Sequence, residues 1–166
     1  YHMGVTAENI ASKFKISRKE QDDFALNSQK KTQLSLEQNK FKDELVSVNL
    51  NGSILNVDEH PRKNLKVEDL EKLNTVFREN GTVTPGNSSG INDGAAAVIL
   101  TSYDEAKKKS LKPLAKIVSW SSVGVEPSLM GLGPIDAVKL ALKKANWKIK
   151  DVDLFEINEA FAAQSI

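Results

Sequence analysis

The sequence of 166 residues lacks cysteine entirely and contains only two histidines, His2 and His60. The absence of cysteine excludes disulfide bridges, zinc-thiolate sites and a cysteine nucleophile within these residues. The histidines match no metal-binding spacing, so a metal site would have to be built from carboxylates, and none cluster in the sequence. We therefore predict no metal site.

An excess of charge of one sign is also missing, since 23 Lys and Arg stand against 22 Asp and Glu, a net charge of +1. This balance gives no reason to propose nucleic acid or an anionic membrane as a partner. No apolar run approaches the ~20 residues of a membrane span, and the first residues show no signal-peptide pattern. With 40% hydrophobic residues, we predict a soluble, globular chain.

The first sixty or so residues are polar and rich in lysine, with helical periodicity. Ser17 and Glu20 form a capping-box pattern at the start of a long helix, in which each side chain satisfies a free backbone amide of the other residue. Asn51-Gly52 is a strong signal for a two-residue hairpin turn. The predicted elements are helices over 7–15, 18–38 and 66–78, and a hairpin that joins strands 45–50 and 53–57.

From residue 95 onward, short apolar runs alternate with helical patterns, which predicts an α/β layered fold. A change of character near Gly81 indicates a domain boundary. The chain stops in the first turns of a helix that begins at Asn158, so we expect the boundary at Ile166 to be a cut. The other predicted elements are strands 95–100, 114–123 and 152–157, and helices 102–109 and 135–145.

Two segments are candidates for chemistry. Residues 81–94 are rich in Gly, Ser and Asn, which let backbone amides approach a ligand closely, although an ordinary turn is the alternative. Asn158 follows a predicted strand, at the place where α/β sheets bind ligands. Its neutral amide can donate a hydrogen bond to an oxygen that becomes anionic, or it can simply cap the helix.

Two further places in the sequence can be interpreted either as ligand-binding or as ordinary structural or solvated residues. His2 and Met3 stand beside Gly4 in a possible ligand loop, but a single histidine is also common as an ordinary hydrogen-bonded residue. Arg62 can bind a phosphate or stack on an aromatic base, and it can equally be solvated.

In their order and spacing, these segments resemble the thiolase family, and the resemblance covers essentially the whole chain. Residues 1–9 are similar to the signature of that family's loop domain, and 81–94 to its pantetheine-contacting loop. Residues 130–134 are similar to a substrate-pocket turn, and 158–164 to the family's Asn-Glu-Ala-Phe motif. His2 resembles the residue of the acetoacetyl-CoA type.

The resemblance implies a layered αβαβα fold made of two similar halves, present here only in part, with an inserted α+β loop domain. Residues 1–80 would be the loop domain, which covers coenzyme A (CoA) and supports tetramers. Residues 81–111 would end the N-terminal half, and residues 112–166 would begin the C-terminal half.

The resemblance also implies roles for single residues. Asn158 would be catalytic, because its amide holds a water that forms an oxyanion hole with a histidine from later sequence. The implied substrate-binding residues are His2, Met3, Arg62, Ser89, Gly90, Met130, Ala160 and Phe161. Ser89 and Gly90 would contact pantetheine, and Arg62 would lie near the adenosine end of CoA.

The activity implied is that of an acetyl-CoA C-acetyltransferase, which condenses two acetyl-CoA molecules through an acetyl-cysteine intermediate. The chain lacks both catalytic cysteines and the catalytic histidine. We expect the nucleophilic cysteine before Tyr1, and the histidine and the second cysteine after Ile166, so we predict that the chain is inactive alone. The alternatives are a 3-ketoacyl-CoA thiolase of fatty-acid degradation and a non-catalytic module that binds CoA or oligomerises.

The resemblance further implies that acetyl-CoA and CoA are the partners of the site, with no separate cofactor. It implies a homo-tetramer for the intact enzyme, and we expect a cytoplasmic location. Potassium-activated relatives have a tyrosine at the position that aligns with Gln29, so no metal site is carried over.

Overall fold

The computed structural model describes residues 1–166, which form six α-helices, two short 3-10 helices and one two-stranded hairpin. The α-helices are α1 (Met3–Phe14), α2 (Arg18–Glu37), α3 (Val67–Glu71), α4 (Tyr103–Lys108), α5 (Gly133–Ala145) and α6 (Ala162–Ser165). The hairpin strands are β1 (Val48–Leu50) and β2 (Ser53–Leu55), and the 3-10 helices are Pro127–Leu132 and Ile149–Asp151. None of the helices combines the length and the apolar character needed to cross a membrane.

The residues form two units. The first unit contains residues 1–90, 126–131 and 157–166, and the second contains residues 91–125 and 132–156. Most of the fully buried apolar side chains belong to the first unit, where they come from α1, α3, the loop after α3 and α6. The domain boundaries expected at residues 80 and 111 stay predictions.

Both long helices of the first unit begin at side-chain caps. Helix α1 starts four residues before the predicted residue 7, because Nδ1 of His2 accepts a hydrogen bond of 3.1 Å from the Gly4 amide. The predicted start of α2 is confirmed, since the Ser17 hydroxyl and the Glu20 carboxylate form the capping box. Hydrogen bonds from Ser17 hold the pKa of the Glu20 carboxyl below its usual value.

The hairpin turn is confirmed, but its strands are shorter than predicted and cover only residues 48–50 and 53–55. Asn51 and Gly52 adopt φ values of 50° and 95°, the left-handed conformation that such turns require.

The predicted helix over 66–78 is wrong in its second half, because α3 ends at Glu71. The Arg18 guanidinium donates to the carbonyl oxygens of Leu70 and Leu73, at 2.6 and 3.1 Å. The Val76 amide donates to the Val83 carbonyl instead of to a preceding turn of helix. Contacts with distant residues therefore replace the continuation of the helix.

In the second unit, α4 and α5 confirm the predicted helices, whereas the strands predicted over 95–100, 114–123 and 152–157 are absent. A strand needs a neighbour for its backbone hydrogen bonds, and no other extended segment of the chain pairs with these residues. The hydroxyls of Ser119 and Ser121 donate instead to carbonyl oxygens of α5, at 2.8 and 2.5 Å. Side chains such as Ile99 are consequently exposed.

The helix predicted to begin at Asn158 begins four residues later, at Ala162. Phe161, with φ of −143° and ψ of 141°, is extended and forms an antiparallel bridge with Ser88. This pairing keeps the preceding residues out of a helix, so Asn158 does not cap α6.

Candidate functional site

Part of the predicted Gly-rich segment, residues 81–90, is fastened to α1 by a buried carboxylate. Oε1 of Glu8 accepts hydrogen bonds from the amides of Thr82 and Val83, both at 2.8 Å. Oε2 accepts from the Thr82 hydroxyl at 3.1 Å. A Cβ on Gly81 would collide with the same carboxylate, so only glycine permits this close approach. Glu8 thus holds the start of the loop in place.

The same loop is also fixed by α2 and α3. The Gln21 side chain, which is fully buried, donates to the Thr82 hydroxyl at 2.9 Å. Further along, a Cβ on Gly86 would lie 2.6 Å from methyl groups of both Leu70 and Leu73. The loop therefore packs tightly against two helices, and its backbone path is determined before Ser89 and Gly90 are reached.

The end of the loop pairs with the segment that carries Asn158. The Ala162 amide donates to the Asn87 carbonyl and the Ser89 amide donates to the Ala160 carbonyl, both at 2.9 Å. Ser88 and Phe161 form the antiparallel bridge between these two bonds. The structure thus brings together two predicted binding residues that lie far apart in the sequence, Ser89 and Ala160.

Aromatic rings connect the start of the chain to this pairing. The His2 ring stacks on Phe77 at a centroid distance of 4.8 Å, and Phe77 meets Phe161 edge to face at 6.3 Å. His2 and Phe161 therefore contact the same ring. Their common neighbour Phe77 was not predicted as a site residue, because its spacing indicated only the buried face of a helix.

Met3 and Met130 are both surface residues, 58% and 43% exposed. Met3 begins α1, directly after His2. Met130 lies in the 3-10 helix at residues 127–132, whose Ser128 carbonyl accepts a 3.0 Å bond from the Asn9 side chain. A Cβ on the next residue, Gly131, would lie 2.8 Å from the Cδ1 methyl of Ile10, so this turn packs directly on α1.

Arg62 lies in a different part of the first unit. It lines a groove of about 600 Å³ between the end of α2 and residues 56–63, and no other predicted site residue lines this groove. Its backbone amide donates to Oε1 of Gln29 at 2.8 Å, while its side chain is exposed. The guanidinium is thus available to an anion, with Lys63 beside it in the groove.

Asn158 is exposed, and its side chain makes no hydrogen bond within the chain. The neighbouring residues are held in place, because the Ala160 carbonyl accepts from the Ser89 amide and the Ser28 hydroxyl of α2 donates to the exposed Glu159 carboxylate. An Asn amide on an anchored backbone is free to bind a water or a carbonyl oxygen. No group of three or more His, Asp or Glu side chains could hold a metal ion.

Taken together, these contacts place exposed backbone, an unpaired amide and aromatic rings close to one pairing of two segments. The loop residues Ser89 and Gly90 are exposed beside the pairing, and the aromatic rings of His2, Phe77 and Phe161 form one row. The only sequence signal for the buried anchor of the loop is the carboxylate of Glu8 among the mostly apolar buried residues of α1.

Comparisons with known proteins agree on one family. The model of the thiolase N-terminal domain matches residues 1–104, and the model of the thiolase C-terminal domain matches residues 111–166. An acetyl-CoA acetyltransferase from Paracoccus denitrificans is 49% identical over 100% of this chain and 44% of its own length. A cytosolic acetyl-CoA acetyltransferase from Mus musculus is 51% identical over 99% of this chain and 43% of its own length.

A solved structure gives the same result. The crystal structure of human mitochondrial 3-ketoacyl-CoA thiolase in complex with CoA superposes with a TM-score of 0.91 at 48% identity. The alignment covers 98% of this chain and 41% of that one. The chain therefore spans less than half the length of the proteins that it matches.

Proposed function

Because the chain belongs to the thiolase family and has part of the thiolase fold, we propose that it is part of an acetyl-CoA C-acetyltransferase. The reaction is the reversible condensation of two acetyl-CoA molecules to acetoacetyl-CoA and CoA. The observation that supports this most is the pairing of the Ser89 loop with the Asn158 segment, beside the row of His2, Phe77 and Phe161.

In this proposal, the first unit holds the substrate. Ser89 and Gly90 contact the pantetheine arm, while His2, Met3, Ala160 and Phe161 line the acyl end together with Met130. Arg62, in its separate groove, takes the adenosine end of CoA, where its exposed guanidinium meets phosphate. The domain division at residues 80 and 111 belongs to the same proposal.

Asn158 supplies the catalytic group. Its free amide holds a water against the thioester oxygen as the enolate forms, and the donor is aimed before the charge develops. The nucleophile and base are cysteines in the family, and this chain contains none. We therefore expect CoA to bind to the chain without turnover.

The experiment has two parts. Calorimetric titration of CoA into the chain tests binding, and Arg62→Ala should weaken it about tenfold through loss of a charged hydrogen bond. The control is Lys116→Ala, which removes an exposed positive charge that does not line the groove. An affinity that is unaffected by Arg62→Ala would remove Arg62 from the site.

Turnover is tested in a chimera in which the chain replaces the matching stretch of the mouse relative. Asn158→Ala should lower the turnover number by ~10²–10³ with little change in CoA affinity, since it removes one oxyanion donor. Asn74→Ala is the control, because Asn74 is also exposed and forms no side-chain hydrogen bond. An unchanged rate would exclude Asn158 from the mechanism.

A degradative 3-ketoacyl-CoA thiolase is the second candidate, supported by the human mitochondrial structure. Assays of the chimera with acetoacetyl-CoA and with longer 3-ketoacyl-CoA substrates separate the two, because the acetyltransferase should cleave only the shorter one. A non-catalytic module would bind CoA but leave the chimera inactive with every substrate.

We also propose a homo-tetramer for the intact enzyme and a cytoplasmic location. The mouse relative is named as cytosolic, which supports the second point. Light scattering of the chimera measures the assembly, and fractionation of the source cells measures the location.

A further inference from the structure

The side chain of Asn87 is almost completely buried, at 3% exposure, and both of its polar atoms are hydrogen-bonded. Oδ1 accepts from the Thr84 amide at 2.9 Å. Nδ2 donates to Oδ1 of Asp22 at 2.9 Å and to the Thr82 carbonyl at 3.1 Å. None of the roles assigned above uses this side chain, although it lies two residues before Ser89.

Asn87 is also the first residue of the pairing that joins the two parts of the site. Its carbonyl accepts from the Ala162 amide, and the Ser89 amide then donates to the Ala160 carbonyl, with Ser88 bridged to Phe161 between them. The position of the Asn158 segment relative to Ser89 therefore depends on where Asn87 is held.

What holds Asn87 is a charged group on α2. The Asp22 side chain is 2% exposed and is paired with Nε of Arg18 at 2.6 Å. A buried carboxylate needs hydrogen-bond donors, and the bond from Asn87 supplies one. A carboxamide can donate to Asp22 and accept from the Thr84 amide at the same time, which a carboxylate cannot do next to an unchanged Asp22.

We propose that Asn87 is a positioning residue, which through Asp22 fixes the register between the pantetheine-contacting loop and the Asn158 segment. The inference rests on the proposed function for its effect on CoA, whereas the coupling between the segments stands on the hydrogen bonds alone. A substitution at Asn87 should therefore disturb the loop and the Asn158 segment together.

The variants change the donor and the acceptor of the hydrogen bond between Asn87 and Asp22. Asn87→Asp places a second carboxylate against Asp22 and removes the donor, so it should break the coupling. Combining Asn87→Asp with Asp22→Asn restores the hydrogen bond between positions 22 and 87 with donor and acceptor exchanged, but not the bond to the Thr82 carbonyl, so recovery should be partial. Asn74→Asp is the control, because it makes the same charge change at an exposed position without a side-chain hydrogen bond.

Two measurements are made on the full chain. Hydrogen exchange followed by NMR reports the amides of Ser89 and Ala162, which are the donors of the pairing. Asn87→Asp should speed their exchange about tenfold and weaken CoA binding about tenfold, as expected for one charged hydrogen bond. The double variant should recover at least half of each loss on a logarithmic scale, and Asn74→Asp should change neither.

The outcomes are distinct. Unchanged exchange and affinity in Asn87→Asp overturn the proposal, and so does acceleration of equal size at amides in the middle of α2, which indicates general destabilisation. If Asn87→Asp does not fold, the double variant decides, since recovery of native exchange supports the coupling and failure overturns it. Absence of CoA binding in the unmodified chain contradicts the proposed function, but coupled exchange would still establish Asn87 as the positioning residue.

Discussion

Removal of the Glu8 carboxylate should destabilise the first unit more than loss of any surface charge. Glu8 is 1% exposed and accepts hydrogen bonds from two backbone amides, those of Thr82 and Val83, and from the Thr82 hydroxyl. In Glu8→Ala the hydroxyl can rotate to another partner, but the amides lose their acceptor. Each such loss costs about 1–3 kcal/mol, so the free energy of unfolding should fall by about 2–6 kcal/mol.

The expected effect of Glu8→Gln is smaller, because its carbonyl oxygen can still accept from both amides. Neutral bonds then replace charge-assisted ones, which predicts a loss of about 1 kcal/mol. Urea unfolding followed by helical circular dichroism measures these differences, and Glu79→Ala is the control, since Glu79 is exposed and unpaired. Equal midpoints for Glu8→Ala and Glu79→Ala, with normal protection of the Val83 amide, would refute the reasoning.

Three further predictions concern the helices of the first unit. Hydrogen bonds with Ser17 lower the pKa of the Glu20 carboxyl, so its capping contribution to the stability of α2 is present above the ordinary pKa of 4.5 and is lost as the pH falls through the folded pKa. Acid titration of helix content should show this loss in the wild type but not in Glu20→Gln. Gly4→Ala should reduce the free energy of unfolding by about 1–3 kcal/mol, because the added methyl overlaps the Phe77 ring, and a normal urea midpoint would contradict that packing. Arg18→Lys replaces donors on two separate nitrogens, Nε to Asp22 and Nη2 to the Leu70 and Leu73 carbonyls, by one nitrogen that cannot occupy both positions. Thermal unfolding should show a loss of about 1–3 kcal/mol, and none if the fork geometry is unimportant.

Local signals explain which elements could be predicted from the sequence. The capping box of Ser17 and Glu20 and the turn at Asn51-Gly52 depend on neighbours a few residues away, and both were confirmed. The strand over 95–100 failed for the opposite reason, since apolar composition indicates burial but cannot supply a partner strand. Helix α3 ended early because Arg18, far away in the sequence, binds the carbonyls of Leu70 near its end and of Leu73 just beyond it.

In the candidate site, too, local signals could be predicted from the sequence whereas contacts between distant residues could not. Ser89 and Asn158 were singled out by residue type and by resemblance to a family, but no spacing rule predicts that their segments pair with each other. Phe77 was recognised only as apolar, although its ring lies between His2 and Phe161. The Glu8 anchor was missed because a single acid on a helix usually indicates solvent, and only the folded backbone shows which amides it satisfies.

The buried anchors also explain why the candidate site can be ordered while the strand-like runs of the second unit are unpaired. Strand register depends on neighbours, whereas Glu8 and Asn87 fix the loop through side-chain bonds to α1 and α2, which belong to the same unit. Because burial makes unsatisfied polar groups costly, these bonds select one loop conformation. The conformation of Ser89 and Gly90 should therefore be kept even though the second unit forms no paired strands. For the same reason, CoA affinity should depend on Asn87 more than on any apolar residue of the second unit.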